Sequence, residues 1–357
     1  MRRSSPGQPA PRSTATPTPA PTTSTATAAE VPARREPAPA PPSSPTKPPS
    51  RDLAVGLRRR LAECDAVTDS RTYGDEIAVV TVTYSPGETL DRFLDTLATA
   101  TDRRVRVILA DNGSTDGVPE RAAAERDDVH FVPTGGNLGY GGGANRGVAE
   151  LGEEYGWIVI CNPDLEWQPG SLDELLAAAK RWPRGGCFGP LIREPDGSVY
   201  PSARLVPSLV RGAGHAVLGK VWPANPWSRA YRQSETTITE RTAGWLSGSC
   251  MFLRREAFDS AGGFDPRYFM YFEDVDLGER LGKAGWLNVY VPSAEIMHIG
   301  GHSTGKASAR MLTEHHRSAY RYLADRHRGL VWAPLRVLIR AALAVRARLE
   351  IRSAGRR

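Results

Sequence analysis

The chain has 357 residues, 40% of them hydrophobic, and a net charge of +6, which suits a protein large enough to bury an enzyme-sized core. Its cysteines (Cys64, Cys161, Cys187, Cys250) form no Cys-x-x-Cys pair, arguing against a zinc site or a disulfide framework and for a reducing cytoplasm. No run reaches the roughly 18 consecutive apolar residues of a membrane span, and the basic N-terminus lacks the apolar segment of a signal peptide. The positive charge leaves nucleic acid, an anionic membrane surface and phosphorylated substrates open as partners, and much of it sits at the two ends.

Residues 1–50 are dominated by Pro, Ala, Thr and Ser, a composition expected to form a disordered tail. Residues 51–74 read as a short basic helix carrying Arg58, Arg59 and Arg60, followed by a linker. From there strands and helices alternate. Ile77 to Tyr84 predicts a strand, Leu90 to Ala100 a helix with Leu90, Phe93, Leu94 and Leu97 on one face, and Val105 to Ala110 a second strand. Val118 to Arg126 reads as a helix, His130 to Pro133 as a short strand, Gly143 to Gly152 as a helix, and Trp157 to Cys161 as a buried strand running into Asn162-Pro163-Asp164. This alternation implies a mostly parallel sheet with ligands at the carboxyl ends of its strands.

After a helix at Ser171 to Trp182 the pattern becomes irregular, with a turn at Pro195-Asp196-Gly197 and a loop rich in Trp, Pro and Arg from Leu205 to Arg241. Gly244 to Leu253 predicts a strand, Asp274 to Lys283 a helix and Leu287 to Val291 a strand. The chemistry-bearing domain is expected over 75–304. The region 305–357 reads as helical, basic and membrane-proximal: Val331, Trp332, Leu335, Val337, Leu338, Leu343 and Val345 mix with Arg336, Arg340, Arg346 and Arg348, as in an interfacial helix. A helix packed on the domain with a solvated basic face fits the same pattern equally well.

Several residue groups stand where chemistry belongs. Asp111-Asn112-Gly113-Ser114 follows the second strand, where it either contacts a base or ribose or forms an Asx-type turn. The run from Gly135 to Gly143 holds six glycines ahead of Asn145 and Arg146, a backbone able to approach a diphosphate. It lies too late in the chain for a dinucleotide fingerprint, and the Walker Lys-Ser/Thr signature is missing. Asp164 is the candidate for Mg²⁺ or another divalent cation, with a strand-ending turn as its plain structural alternative. Asp274 shares a helix face with Leu277 and Leu281 and should point inward as a general base or an N-terminal cap. His298 and His302 offer a metal or phosphate ligand. Trp245, Ser247 and Gly248 offer an aromatic face and a hydroxyl for a sugar ring, or a core strand.

In this order, Thr83-Tyr84-Ser85, Asp111-Asn112-Gly113-Ser114, Gly136-Asn137-Leu138-Gly139, Asn162-Pro163-Asp164, Trp245 to Ser249 and Glu273-Asp274-Val275-Asp276 resemble the inverting family 2 glycosyltransferases. The likeness covers about residues 77 to 345. It extends to the rhamnosyltransferase branch of that family through Gly189 to Arg193, Tyr200 to Arg204 and Phe269 to Phe272.

The resemblance implies the α/β GT-A fold, Rossmann-like with a mostly parallel central sheet, plus the basic helical extension. It implies that Thr83, Tyr84, Asp111, Asn112, Gly113, Asn137, Gly139 and Asn145 bind a nucleotide-sugar, and that Trp245, Ser247, Gly248 and Glu273 contact the acceptor or sugar. It makes Asp274 the catalytic base, Asp164 the ligand of Mg²⁺ or Mn²⁺, and His298 a further metal or diphosphate ligand. Asn162 stands where many relatives carry Asp, leaving one carboxylate there. The implied reaction moves L-rhamnose from dTDP-L-rhamnose, with inversion, to the 3-hydroxyl of N-acetylglucosamine on a polyprenyl diphosphate. It would take place at the inner face of the cell membrane and build the linker between peptidoglycan and arabinogalactan. A family member using another donor, such as UDP-galactofuranose, is the nearest rival. A glycoside hydrolase also uses two carboxylates but has no use for a diphosphate cradle. A non-enzymatic protein binding membrane or nucleic acid through its tails would not need Asp274, and no nucleic-acid partner is expected.

Overall fold

The computed structural model describes residues 72–207, 238–300 and 309–354. The expected N-terminal tail and basic helix, most of the Trp-, Pro- and Arg-rich loop, and His302 lie outside the described residues.

Three apolar strands form the centre: β1 (Ile77–Thr83), β2 (Val105–Asp111) and β4 (Trp157–Cys161). They read as nearly continuous hydrophobic runs because both faces of the sheet are covered. Val79, Leu109, Val159 and Phe252 pack on one face with Leu90, Phe93, Leu94 and Leu97 of helix α1 (Thr89–Leu97). Val80, Ile108, Ile160 and Leu253 pack on the other. Between these elements come α2 (Val118–Glu125), β3 (Val129–Pro133) and α3 (Gly139–Val148). Beyond β4 the chain continues through β5 (Leu165–Trp167), α4 (Ser171–Arg181), β6 (Gly185–Arg193), β7 (Val199–Tyr200), β8 (Ala203–Arg204), β9 (Arg241–Ala243), β10 (Trp245–Leu246) and β11 (Cys250–Arg254). Helices α5 (Arg255–Ser260) and α6 (Glu273–Lys283), strand β12 (Leu287–His298), α7 (Ala309–Arg326), a 3-10 turn at Leu330–Trp332 and α8 (Ala333–Ala354) complete the order.

The main sheet runs β3-β2-β1-β4-β11-β6-β12-β5, and β8 and β10 form a separate pair. The β3-β2, β2-β1, β1-β4 and β6-β12 pairings are parallel, whereas β11 runs against both its neighbours. The chain leaves β1 in one direction and returns to β4 on its other side, so β1 and β4 flank a topological switch point whose carboxyl end is the natural ligand crevice. Register aligns that edge: Thr83 sits beside Asp111, Thr81 beside Cys161, and Cys161 beside Cys250.

Four features differ from the sequence expectations. The strand expected over Gly244 to Leu253 is broken into β10 and β11, and Ser247-Gly248-Ser249 form the link. Strand β6, absent from the sequence reading, occupies the middle of the sheet, and β12 runs past Val291 to His298. Helix α3 starts at Gly139, not Gly143, so most of the glycine-rich run lies within it.

Those glycines serve close packing. A Cβ on Gly141 would lie 2.9 Å from the Phe264 side chain, one on Gly143 2.8 Å from Val82, and one on Gly147 2.5 Å from Val80. Gly139 has φ +77° and its Cβ would meet the Phe269 carbonyl oxygen. Ordinary side chains would lift α3 off the sheet. Gly147→Ala should therefore destabilise the fold by about 1–3 kcal/mol despite its better helix propensity. Urea-unfolding midpoints would show the loss, and an unchanged or raised midpoint would contradict this packing account.

Candidate active site

The carboxyl edge of β1 and β4, the β10–β11 link and the N-terminus of α6 enclose one cleft of about 800 Å³. Tyr84, Asn112, Asn137, Gly139, Asn162, Asp164, Trp245, Ser247, Gly248, Glu273 and Asp274 all line it. The two carboxylates singled out from distant stretches of sequence, Asp164 and Asp274, thus share a single cavity.

Helix α6 begins directly after Tyr271 and Phe272, both with φ +67°. Left-handed backbone at such bulky residues costs on the order of 1–3 kcal/mol each and persists only where surroundings hold it. Here the Phe272 ring packs against Tyr322 and His315, 5.4 and 5.7 Å away, Tyr271 meets His315 at 5.3 Å, and Ser318 Oγ donates to the Met270 carbonyl at 2.9 Å. The clamp therefore comes from α7. It delivers Glu273 and Asp274 to the cleft from a helix N-terminus, where a negative charge is favoured.

Asp274 Oδ2 accepts the Gly248 N–H at 2.9 Å and Oδ1 accepts the Val275 N–H at 2.8 Å. Burial raises its pKa above the ordinary carboxylate value, and the backbone donors only partly offset this. Glu273 is only 6% exposed and its Oε2 has no hydrogen-bond partner. Burial, then the adjacent Asp274 charge, pushes Glu273 up to about 8. Tyr140 Oη donates a short bond to the Gly248 carbonyl, so α3 holds the loop that holds Asp274.

Just past the end of β4, Asp164 Oδ1 is buried and pairs with His298. His298 Nε2 lies 3.2 Å from that oxygen and 3.2 Å from Asn162 Nδ2. The pairing of β12 with β5 sets His298 opposite Leu165 and so beside the turn. Burial opposes a charge on His298, but the Asp164 carboxylate outweighs it and raises the imidazole pKa. A buried carboxylate oxygen paired with an imidazole nitrogen is a donor set that fits a divalent cation. Among the described residues no group of three or more His, Cys, Asp and Glu gathers, so the remaining ligands would be substrate oxygens, as Mg²⁺ sites commonly have.

Five expected site residues, Thr83, Asp111, Gly113, Asn145 and His298, are not part of the cleft lining, His298 standing beside the lining residues Asn162 and Asp164. Asp111 is buried, and its carboxylate accepts from Thr83 Oγ1 at 2.7 Å, Gly113 N at 3.0 Å, Ser114 N at 2.9 Å and, in a short bond, Ser114 Oγ. This is the Asx-type turn, and it occupies Thr83, Asp111 and Gly113 together. Asn145 uses its amide on Phe264, donating to the carbonyl at 2.8 Å and accepting the N–H at 2.9 Å. Asn112 does face the cleft, donating to the Gly139 carbonyl at 2.9 Å. Trp245 lines it with its Nε1 bound to the Leu205 carbonyl at 3.1 Å. Conversely, Tyr140, Arg310, Met311 and His315 line the cleft without having been marked in the sequence. The Met311/His315 spacing of one helical turn was the available signal, masked by the basic character of the region.

Comparison with known proteins agrees with this geometry. A profile described as Glycosyl transferase family 2 matches residues 78–262, and one described as Glycosyl transferase family group 2 matches residues 228–345. The N-acetylglucosaminyl-diphospho-decaprenol L-rhamnosyltransferase of Mycobacterium tuberculosis (strain ATCC 25618 / H37Rv) is 59% identical over 292 residues, 79% of this chain and 95% of that protein. Rhamnosyltransferase WbbL of Escherichia coli (strain K12) is 27% identical over 259 residues, 70% of this chain and 92% of that one. Among solved structures, GalNAc-T7 with UDP, GalNAc and Mn²⁺ superposes with a TM-score of 0.50 at 14% identity, over 76% of this chain and 57% of that one, a likeness of fold. The chain adopts a GT-A-like fold and belongs to the family 2 glycosyltransferases.

Proposed function

We propose that the protein transfers L-rhamnose from dTDP-L-rhamnose to the 3-hydroxyl of N-acetylglucosamine on a polyprenyl diphosphate, with inversion at the anomeric carbon. The observation that carries this reading is the shared cleft of Asp164 and Asp274, supported by the name of the relative that is 59% identical. Asp274, half-buried and raised in pKa, accepts the proton of the attacking hydroxyl. Each of its oxygens accepts one backbone N–H, which fixes the orientation of the carboxylate toward the hydroxyl. Neighbouring Glu273, protonated below about 8, adds no second negative charge at neutral pH and can donate a hydrogen bond to a sugar oxygen. Trp245 offers its face and Ser247 its hydroxyl to the sugars, while Tyr84, Asn112 and Asn137 face the nucleotide. Mg²⁺ or Mn²⁺ held by Asp164 and His298 would neutralise charge on the departing diphosphate.

A lipid-linked acceptor implies a membrane surface. No helix among the described residues is long and apolar enough to cross a membrane. Val331, Leu338, Val345 and Leu349 are exposed, at 88%, 66%, 54% and 59%, and recur at helical spacing along the turn and α8 with Arg346, Arg348 and Arg352 nearby. Such a stripe suits the anionic cytoplasmic leaflet.

Purified protein given dTDP-L-rhamnose and a polyprenyl-diphospho-N-acetylglucosamine extract should form a rhamnosylated lipid, and Asp274→Asn should lower turnover by about 100-fold or more. Full activity in a folded Asp274→Asn variant would remove the base assignment. Glu273 also sets a stability trend. Its folded pKa of about 8 exceeds the ordinary value of 4.5, so the folded state binds more protons between these limits and stability falls as pH rises through that window. Glu273→Gln should flatten the fall in thermal midpoint between pH 5 and pH 8, and parallel slopes in both proteins would contradict the burial argument. Removing residues 331–357 should reduce co-sedimentation with anionic vesicles while leaving the unfolding transition of the catalytic domain in place. Unchanged sedimentation would exclude the interfacial role.

A further inference from the structure

The cleft lining continues beyond the two carboxylates onto residues 205–207 and the first turns of α7. That part carries Val206, Pro207, Phe269, Phe272 and Met311 as apolar wall, with Arg310 and His315 among them. The wall is firmly backed. Val206 and Phe272 pack on the buried cluster of Tyr268, Val275 and Tyr322, and a Cβ on Gly244 would strike the Val206 backbone. The Arg310 guanidinium lies over the Phe269 ring, 5.3 Å from its centroid, which places a fixed cation at the margin of an apolar surface. His315 is kept below its usual pKa by burial, then by His316, so Arg310 is the cation that α7 brings to this wall near neutrality, while Arg204 lines the cleft on the side of Asp274.

dTDP-L-rhamnose carries only two isolated methyl groups, one on thymine and one on C6 of the sugar, too little aliphatic surface to match a wall of five apolar side chains. A diphosphate ester of a long-chain isoprenoid pairs an anionic head with branched hydrocarbon, and both halves find a counterpart here. We propose that this wall is the acceptor's lipid-phosphate subsite. Arg310 binds the acceptor diphosphate, and Val206, Pro207, Phe269, Phe272 and Met311 receive the first isoprene units. The attached sugar then remains within the cleft that Asp274 lines. The inference rests on the lipid-linked acceptor proposed above. It assigns α7 a part in substrate choice besides its clamp on Tyr271 and Phe272.

The test uses the full chain and the variants Arg310→Gln and Met311→Glu, with thermal midpoints confirming the fold. Geranylgeranyl diphosphate serves as a probe whose binding needs no turnover. Its Kd should rise about tenfold in each variant, the scale expected for losing one charge-assisted contact or introducing a charge into an apolar site. Affinity for dTDP should stay unchanged. In turnover, KM for the lipid-linked acceptor should rise about tenfold with kcat within about twofold, while a soluble N-acetylglucosamine glycoside without phosphate or lipid is used equally by all three proteins. Equal probe binding by wild type and variants, or none by the wild type, overturns the subsite. An equal loss of dTDP affinity would move Arg310 to the donor and also overturn it. A wild type that binds the probe but transfers no rhamnose would instead count against the proposed reaction and leave the subsite standing.

Discussion

The Gly248 N–H donating to Asp274 Oδ2 at 2.9 Å is the contact on which the site depends. It joins the β10–β11 link to the first turn of α6, and further bonds tie that link to the rest of the edge. The Gly248 carbonyl accepts from Tyr140 of α3, and the Ser249 carbonyl accepts the Asn162 N–H at 3.0 Å. Four elements that are far apart in sequence are thereby fixed around one carboxylate. Gly248 suits the position because a Cβ there would lie 3.5 Å from the Asp274 side chain and 3.3 Å from Tyr140. The contact with the Tyr140 ring is the tight one, and that with Asp274 is ordinary van der Waals contact.

Asp274 is half-buried beside the buried Glu273, an arrangement that costs free energy when both carry charge. Burial raises the pKa of both groups, Glu273 up to about 8, while two backbone donors and a position at a helix N-terminus favour charge on Asp274. The left-handed Tyr271 and Phe272 add backbone strain, offset by aromatic packing from α7. The extension beyond the catalytic sheet is therefore part of the active-site architecture. Tyr322 donates to Glu279 of α6 at 2.9 Å and Arg326 pairs with the same carboxylate, so α7 is locked to the helix that carries Asp274.

Much of this architecture was legible in the sequence because the alternation of apolar runs and amphipathic helices through β4 follows simple periodicity. The end of β4 at Asp164 and the inward face of Asp274 with Leu277 and Leu281 could be read the same way. Strand β6 escaped notice because Gly185-Gly186 and Pro190 mask a strand that is buried by long-range pairing with β11 and β12. The glycine-rich run looked like a phosphate cradle, yet contacts of Gly141, Gly143 and Gly147 with the sheet and Phe264 show tight helix packing. Spacing cannot separate the two uses, since both exploit the missing Cβ. Asp111 ended a strand as expected, and its carboxylate holds its own turn, a use that hydrogen-bond geometry shows and spacing alone could not.

The central claim is that the donor's diphosphate and the base acting on the acceptor meet in the cleft shared by Asp164 and Asp274. A crystal structure of the protein with dTDP and Mn²⁺, with the cation located by anomalous scattering, tests this most directly. The account predicts an Mn²⁺ peak against Asp164, with the nucleotide diphosphate on it and the space beyond facing Asp274. A nucleotide or cation bound elsewhere, or one that leaves Asp274 turned away from the diphosphate, would contradict it.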